Sequence, residues 1–128
     1  QGEGFEFVGD AGDGELAYPI IQKTRPDILI TDIKMPFMDG LELSRLVKHE
    51  LPETKIILLS GYDEFQYAKE AIDIGITDYL VKPVTGAQLI GTLKKIGQKI
   101  EEAAAVPAHG LRKAYLCVGV PGGEGAGT

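Results

Sequence analysis

Short runs rich in Ile, Val and Leu alternate along the chain with longer stretches whose apolar residues recur at the helical period. That alternation predicts an α/β domain built on a parallel sheet. The apolar runs are Phe5–Val8, Asp27–Thr31, Lys55–Ser60 and Tyr79–Val81, and helices are expected over Gly14–Thr24, Leu41–Glu50, Glu64–Ile74 and Gly86–Glu102. Ile28–Ile30 and Ile56–Leu59 are apolar at every position. Both faces of those strands must therefore be covered by helices, as in a doubly wound sheet. Leu41, Leu43, Leu46 and Val47 form a stripe expected to face the sheet, as do Phe65, Ala68, Ala71 and Ile72. Three helix starts carry a polar cap with a partner three residues on: Asp39 with Glu42, Asp63 with Gln66, and Thr85 with Gln88. Pro19 falls inside the first helix, where it removes a backbone bond, so a kink or a late start is expected there.

Beyond Glu102 the pattern changes. From Pro107 to Thr128 there are six glycines and only three charged residues, so residues 103–128 read as a linker or disordered tail following a domain at 1–102. Within the tail, Ala114–Val120 has enough apolar and β-branched character for one strand, but Gly119 and the flanking glycines favour disorder over pairing.

Composition narrows the classes. With 128 residues, 44% hydrophobic and 25% charged, the chain is of single-domain length and of ordinary globular composition. The lone Cys117 cannot make an internal disulfide, and no apolar run has the length of a membrane helix, so a cytoplasmic protein without membrane contact is expected. Thirteen basic against nineteen acidic residues give a net charge of −6. Direct nucleic-acid binding by this chain is therefore not expected, since such binding rests on neutralising phosphates. His49 and His109 have no partner at metal-binding spacing. His49 is read as a last-turn helix residue, and Met35 and Met38 as loop packing.

In a parallel α/β sheet, sites form at the carboxyl ends of the strands. Here the second run ends in Thr31-Asp32, the third in Ser60-Gly61, and the fourth is followed by Lys82-Pro83. A carboxylate, a hydroxyl and an ammonium meeting at one edge suit phosphoryl chemistry. The segments Asp27-Ile-Leu-Ile-Thr-Asp32-Ile-Lys-Met-Pro36-Phe-Met-Asp-Gly40, Ile56-Ile-Leu-Leu-Ser60-Gly61 and Asp78-Tyr79-Leu-Val-Lys82-Pro83 resemble the receiver domain of two-component response regulators. Order and spacing agree as well, with 28 residues from Asp32 to Ser60 and 22 from Ser60 to Lys82. The resemblance spans about residues 5–102, and the stretch from Ser60 through Ala71 is similar to receivers that precede AraC-type DNA-binding modules.

The resemblance implies a flavodoxin-like receiver fold in which Asp32 is the phosphoacceptor for a sensor histidine kinase. It further implies that Ser60 donates to a phosphoryl oxygen, that Lys82 pairs with another across a cis Lys82-Pro83 bond, and that Tyr79 is the aromatic switch. Lys34 is expected to offer its backbone carbonyl to Mg²⁺, and Gly61 to leave room for the phosphoryl group. No enzyme beyond a self-phosphorylating and self-dephosphorylating switch is implied. The implied partners are the kinase, an output domain of AraC type, and a second copy in a homodimer.

Against the family pattern the sequence is read as opening at what would be the second strand, so the first strand, its acidic pair and the first helix are not expected in residues 1–102. Asp10 and Asp13 fall in the wrong loop to replace that pair. Weak Mg²⁺ binding is therefore expected, because a hard divalent cation needs several oxygen ligands. Two readings follow: a fragment of a longer gene product, or a degenerate receiver used as a phosphorylation-independent interaction module. The uncovered central strands lead to an expectation of marginal stability and association. If Ala114–Val120 docked in the gap, Gly122 and Gly123 would follow it and bring no carboxylate. A nucleotide-binding enzyme is disfavoured, since no Gly-x-Gly-x-x-Gly or Walker-type loop follows any strand.

Overall fold

The last strand among the described residues lies inside the sheet. A computed structural model describes residues 5–61, 65–103 and 112–118. In chain order the elements are β1 (Phe5–Ala11), α1 (Gly14–Thr24), β2 (Ile28–Asp32), α2 (Gly40–Glu50), β3 (Lys55–Ser60), a 3₁₀ turn (Phe65–Tyr67), α3 (Ala68–Ile74), β4 (Asp78–Val81), α4 (Gly86–Ala103) and β5 (Arg112–Cys117). All pairings are parallel, in the order β1-β5-β2-β3-β4. On one face Ala17 and Ile21 of α1, Leu41, Leu43 and Val47 of α2 and Ala71 of α3 pack with Leu29, Ile56, Leu58 and Tyr115. On the other face Leu93 and Ile96 of α4 pack with Phe5, Ile28, Ile30, Ile57 and Ala114. The doubly wound α/β expectation holds, with every residue of β2 buried.

The expectation of a linker or disordered tail is corrected at Arg112–Cys117, which pairs with β1 on one side and β2 on the other. Two strands separated by a missing neighbour present rows of unpaired amides and carbonyls, and an extended segment that satisfies both rows is favoured over a solvated one. Burial of Ala114, Tyr115 and Cys117, each fully inaccessible to solvent, offsets the ordering of the strand. The strand starts and ends earlier than Ala114–Val120. Its entry is fixed by Asp27, whose amide donates to the Lys113 carbonyl while its Oδ2 accepts from the Lys113 amide, both at 2.8 Å. The Lys113 ammonium also donates to the Thr24 carbonyl at 2.8 Å. Gly119, Val120, Gly122, Gly123 and His109 lie outside the described residues.

Smaller corrections have local causes. α1 runs from Gly14 to Thr24 with the exposed Pro19 inside it, so the late start does not occur, and Asp13 caps the helix by accepting from the Leu16 amide at 2.8 Å. The Thr85–Gln88 box closes in both directions at 3.0 and 3.1 Å. Asp39 caps α2 by accepting from the Glu42 amide. Asp63 and Glu64 lie outside the described residues, and the next helix opens as the 3₁₀ turn, becoming α-helical only at Ala68. The stripe expected on α3 is out of phase at Ile72, which is 74% exposed, leaving Ala71 as the buried residue. Among the described residues no helix is long and apolar enough to cross a membrane.

Candidate functional site

The carboxyl ends of β2 and β3 and the residue after β4 bring together the three side chains singled out in the sequence. Asp32 closes β2 opposite Leu59, and Ser60 closes β3 opposite Val81. The Lys82 amide donates to the Ser60 carbonyl at 2.8 Å, which carries the backbone from β4 toward Asp32, and the Lys82-Pro83 bond is cis. The Lys82 ammonium then reaches Asp32 Oδ1 at 2.9 Å. The two ends of that ion pair differ in burial: the Asp32 side chain is 4% exposed and that of Lys82 44%. Burying a carboxylate costs several kcal/mol unless an opposite charge meets it, and Lys82 supplies that charge from the solvent side. Ser60 is fully buried, its hydroxyl donating to the Gly61 carbonyl at 3.0 Å.

The outlying residues fall into two groups. Lys34 lies two positions past Asp32 and extends its ammonium over the Tyr67 ring, 5.0 Å from the centroid, tying the loop after β2 to the turn that follows Ser60. Tyr79 sits in β4 opposite Leu58 and packs, half-buried, against the cluster on the α1–α3 face. Asp10 belongs to β1, and the Asp13 carboxylate is engaged as the α1 cap.

Sequence reasoning missed the role of Gly40. Its amide donates to the Ile33 carbonyl at 2.7 Å, and a Cβ at this position would collide with the Asp32 carbonyl. Gly40 thus lets the start of α2 rest on the backbone that carries Asp32. The fixed interval between the two residues was visible, but the contact is made by the fold of the loop and leaves no trace in periodicity.

Cys117 pairs with Thr31 in the ladder, and its Sγ lies 3.4 Å from Met35 Sδ and 3.6 Å from the Asp13 carbonyl. Burial pushes its thiol up to about 11, with the nearby Asp13 and Asp32 charges adding to the effect against a lowering contact from Thr31. It is a packed thiol rather than a reactive one.

The donor set bears on the divalent cation implied by the family resemblance. The β2–β5 ladder ends at the Thr31–Cys117 pair, and Val118, the next residue after Cys117, follows it toward the end of β2 that carries Asp32. Val118 is half-buried and packs against the α4-face cluster. Among the described residues no three His, Cys, Asp or Glu side chains are grouped so as to hold a metal. One carboxylate, already bound by an ammonium, and the Lys34 carbonyl are a poor match for a hard cation that takes about six oxygens. The described residues at this edge do not fit Mg²⁺.

Comparison with known proteins agrees with the architecture and the motif order. Residues 1–94 match the family model of the response regulator receiver domain. The chain is 42% identical over 113 residues to the uncharacterized transcriptional regulatory protein YesN of Bacillus subtilis, covering 88% of this chain and 30% of YesN. It is 41% identical over 111 residues to the transcriptional regulatory protein HptR of Staphylococcus aureus, covering 87% of this chain and 43% of HptR. The chain thus spans less than half the length of these relatives. Among solved structures, the REC domain of AraT, a response regulator from Geobacillus stearothermophilus, superposes with a TM-score of 0.72 at 41% identity, covering 76% of this chain and 75% of that domain.

Proposed function

The chain belongs to the response regulator receiver domain family, whose members are signalling switches, and from that premise we propose that it receives a phosphoryl group on Asp32 from a phosphohistidine of a sensor kinase. The observation that carries the reading is the pairing of the buried Asp32 with Lys82 at 2.9 Å, beside the buried Ser60 on the same sheet edge. An Asp32 carboxylate oxygen attacks phosphorus, the P–N bond breaks, and the departing imidazole retains the bonding pair and takes up a proton. The product is an acyl phosphate. Lys82 offsets charge on the phosphoryl oxygens and Ser60 turns its hydroxyl from the Gly61 carbonyl toward one of them. Tyr79, three residues before Lys82 on β4, is the aromatic that follows that turn, and the surface of α3, β4 and α4 carries the change outward to an output domain. Sensor kinase, a transcriptional output module of AraC type, a second copy in a homodimer and a cytoplasmic location complete the proposal.

A second reading, a receiver fold retained for docking without phosphorylation, is favoured by one observation. The residue that follows the β5 ladder toward the Asp32 end of β2 is the apolar Val118. Incubation with phosphoramidate followed by intact-mass spectrometry separates the two. The phosphoacceptor reading expects the mass of one phosphoryl group on the native chain and none on Asp32→Asn. No uptake by the native chain favours the docking module.

A further inference from the structure

The position of β5 fixes what faces Asp32 on its inner side. Among the described residues β5 is the strand between β1 and β2; its register pairs Cys117 with Thr31, and continued by one residue beyond that last pair it brings Val118 to Asp32. Side chains alternate along a strand. Tyr115 and Cys117 enter the cluster under α1–α3, while Ala114, Leu116 and Val118 enter the one under α4. In β2, Leu29 enters the first cluster and Ile28 and Ile30 the second. Asp32 and Val118 therefore fall on the same side of the sheet in neighbouring strands. Neighbouring strands lie about 4.8 Å apart, so a side chain at this end of β5 would come within reach of a ligand held by Asp32. Val118 offers no donor atom.

On its outer side Asp32 meets the Lys82 ammonium at 2.9 Å. Lys82 comes from the end of β4, two strands away, held by the bond of its amide to the Ser60 carbonyl. The carboxylate is thus flanked by a tethered cation and by a hydrocarbon side chain. We infer that Lys82 is the resident counter-ion of Asp32 in this chain, and that Val118, delivered by β5, is the residue that withholds divalent-cation binding from the site. The inference does not depend on whether Asp32 takes a phosphoryl group, because its readout is cation binding alone.

One carboxylate added at position 118 changes the balance. It supplies a second anionic oxygen donor on the same side of the sheet and a charge that Lys82 alone cannot neutralise, which together favour a dication. Because Val118 is half-buried, beyond the last paired residue of β5, the substitution is placed where a carboxylate keeps access to water.

The test is a Mg²⁺ titration followed by NMR shifts of the amides of Asp32 and Ile33, on the native chain, Val118→Asp, and Val118→Asp combined with Asp32→Asn. The native chain is expected to show no saturable shift through the tens-of-millimolar range. Val118→Asp is expected to bind at least about tenfold more tightly, and the double variant to lose that gain. Val118→Asn, which adds a neutral oxygen, is expected to gain less and serves if the aspartate variant does not fold. Saturable millimolar binding by the native chain that Asp32→Asn removes would overturn the inference, as would a folded Val118→Asp that binds no better than the native chain.

Discussion

Gly40 is the residue whose smallest change has the largest expected consequence. Its missing side chain admits the Asp32 carbonyl, and the only way to seat a methyl there is to push α2 away from the end of β2. Gly40→Ala is expected to lower unfolding free energy by about 1–3 kcal/mol, the usual cost of forcing atoms into a packed site. It should also displace the Asp32 amide resonance, and urea unfolding with an ¹⁵N spectrum checks both. The same substitution at the exposed Gly86, where a Cβ meets nothing within 4 Å, is the control.

Two residues of β5 make stability depend on alkaline pH. Burial raises Cys117 from 9.0 to about 11 and Tyr115 from 10.0 to about 12. Both hold their protons longer in the folded chain than in the unfolded one. Between about pH 9 and 12 the unfolded state therefore binds fewer protons, so folding stability falls as pH rises, while below about pH 8 these groups contribute no slope. Cys117→Ala and Tyr115→Phe are each expected to flatten the alkaline limb of a stability–pH profile measured by urea unfolding. An unchanged limb in both would contradict the assignment.

At the scale of elements, β5 carries the architecture. Among the described residues β1 has β5 as its sheet partner, so β1 joins the sheet through it. The amides of Ala114, Tyr115 and Leu116 are accordingly expected to exchange with solvent as slowly as those of Ile30 and Ile57. Fast exchange in β5 beside slow exchange in β2 and β3 would show a strand that is not seated. This element also marks the limit of what the sequence disclosed. The runs in β2 and β3 and the boundaries of α1 were legible because buried strands and capped helices have local signatures. β5 was read mainly as tail because its glycine-rich surroundings favour disorder, while the reason it pairs is non-local: two strands far from it in sequence need a common neighbour. Ile72 was misplaced because three residues of 3₁₀ turn precede α3 and shift the phase of its apolar stripe. Asp32, Ser60 and Lys82 were legible because each ends or follows a strand, and strand ends of a parallel sheet converge. Gly40 and Val118 were not, since their roles depend on backbone approach and on register.

For the molecule as a whole, the expected exposure of central strands does not arise, because β5 covers the gap between β1 and β2. What the fold accomplishes is convergence: β2, β3 and β4 carry a carboxylate, a hydroxyl and an ammonium to one edge, where the carboxylate is buried and paired with the Lys82 ammonium. The central claim is that this edge forms an acyl phosphate at Asp32. The most direct measurement is to treat the native chain with phosphoramidate, reduce with borohydride, which converts an aspartyl phosphate to homoserine, and map the product by peptide mass spectrometry. The account predicts homoserine at position 32 and at no other aspartate. Its absence from position 32, or its appearance at Asp10, Asp13 or Asp39 instead, would contradict it.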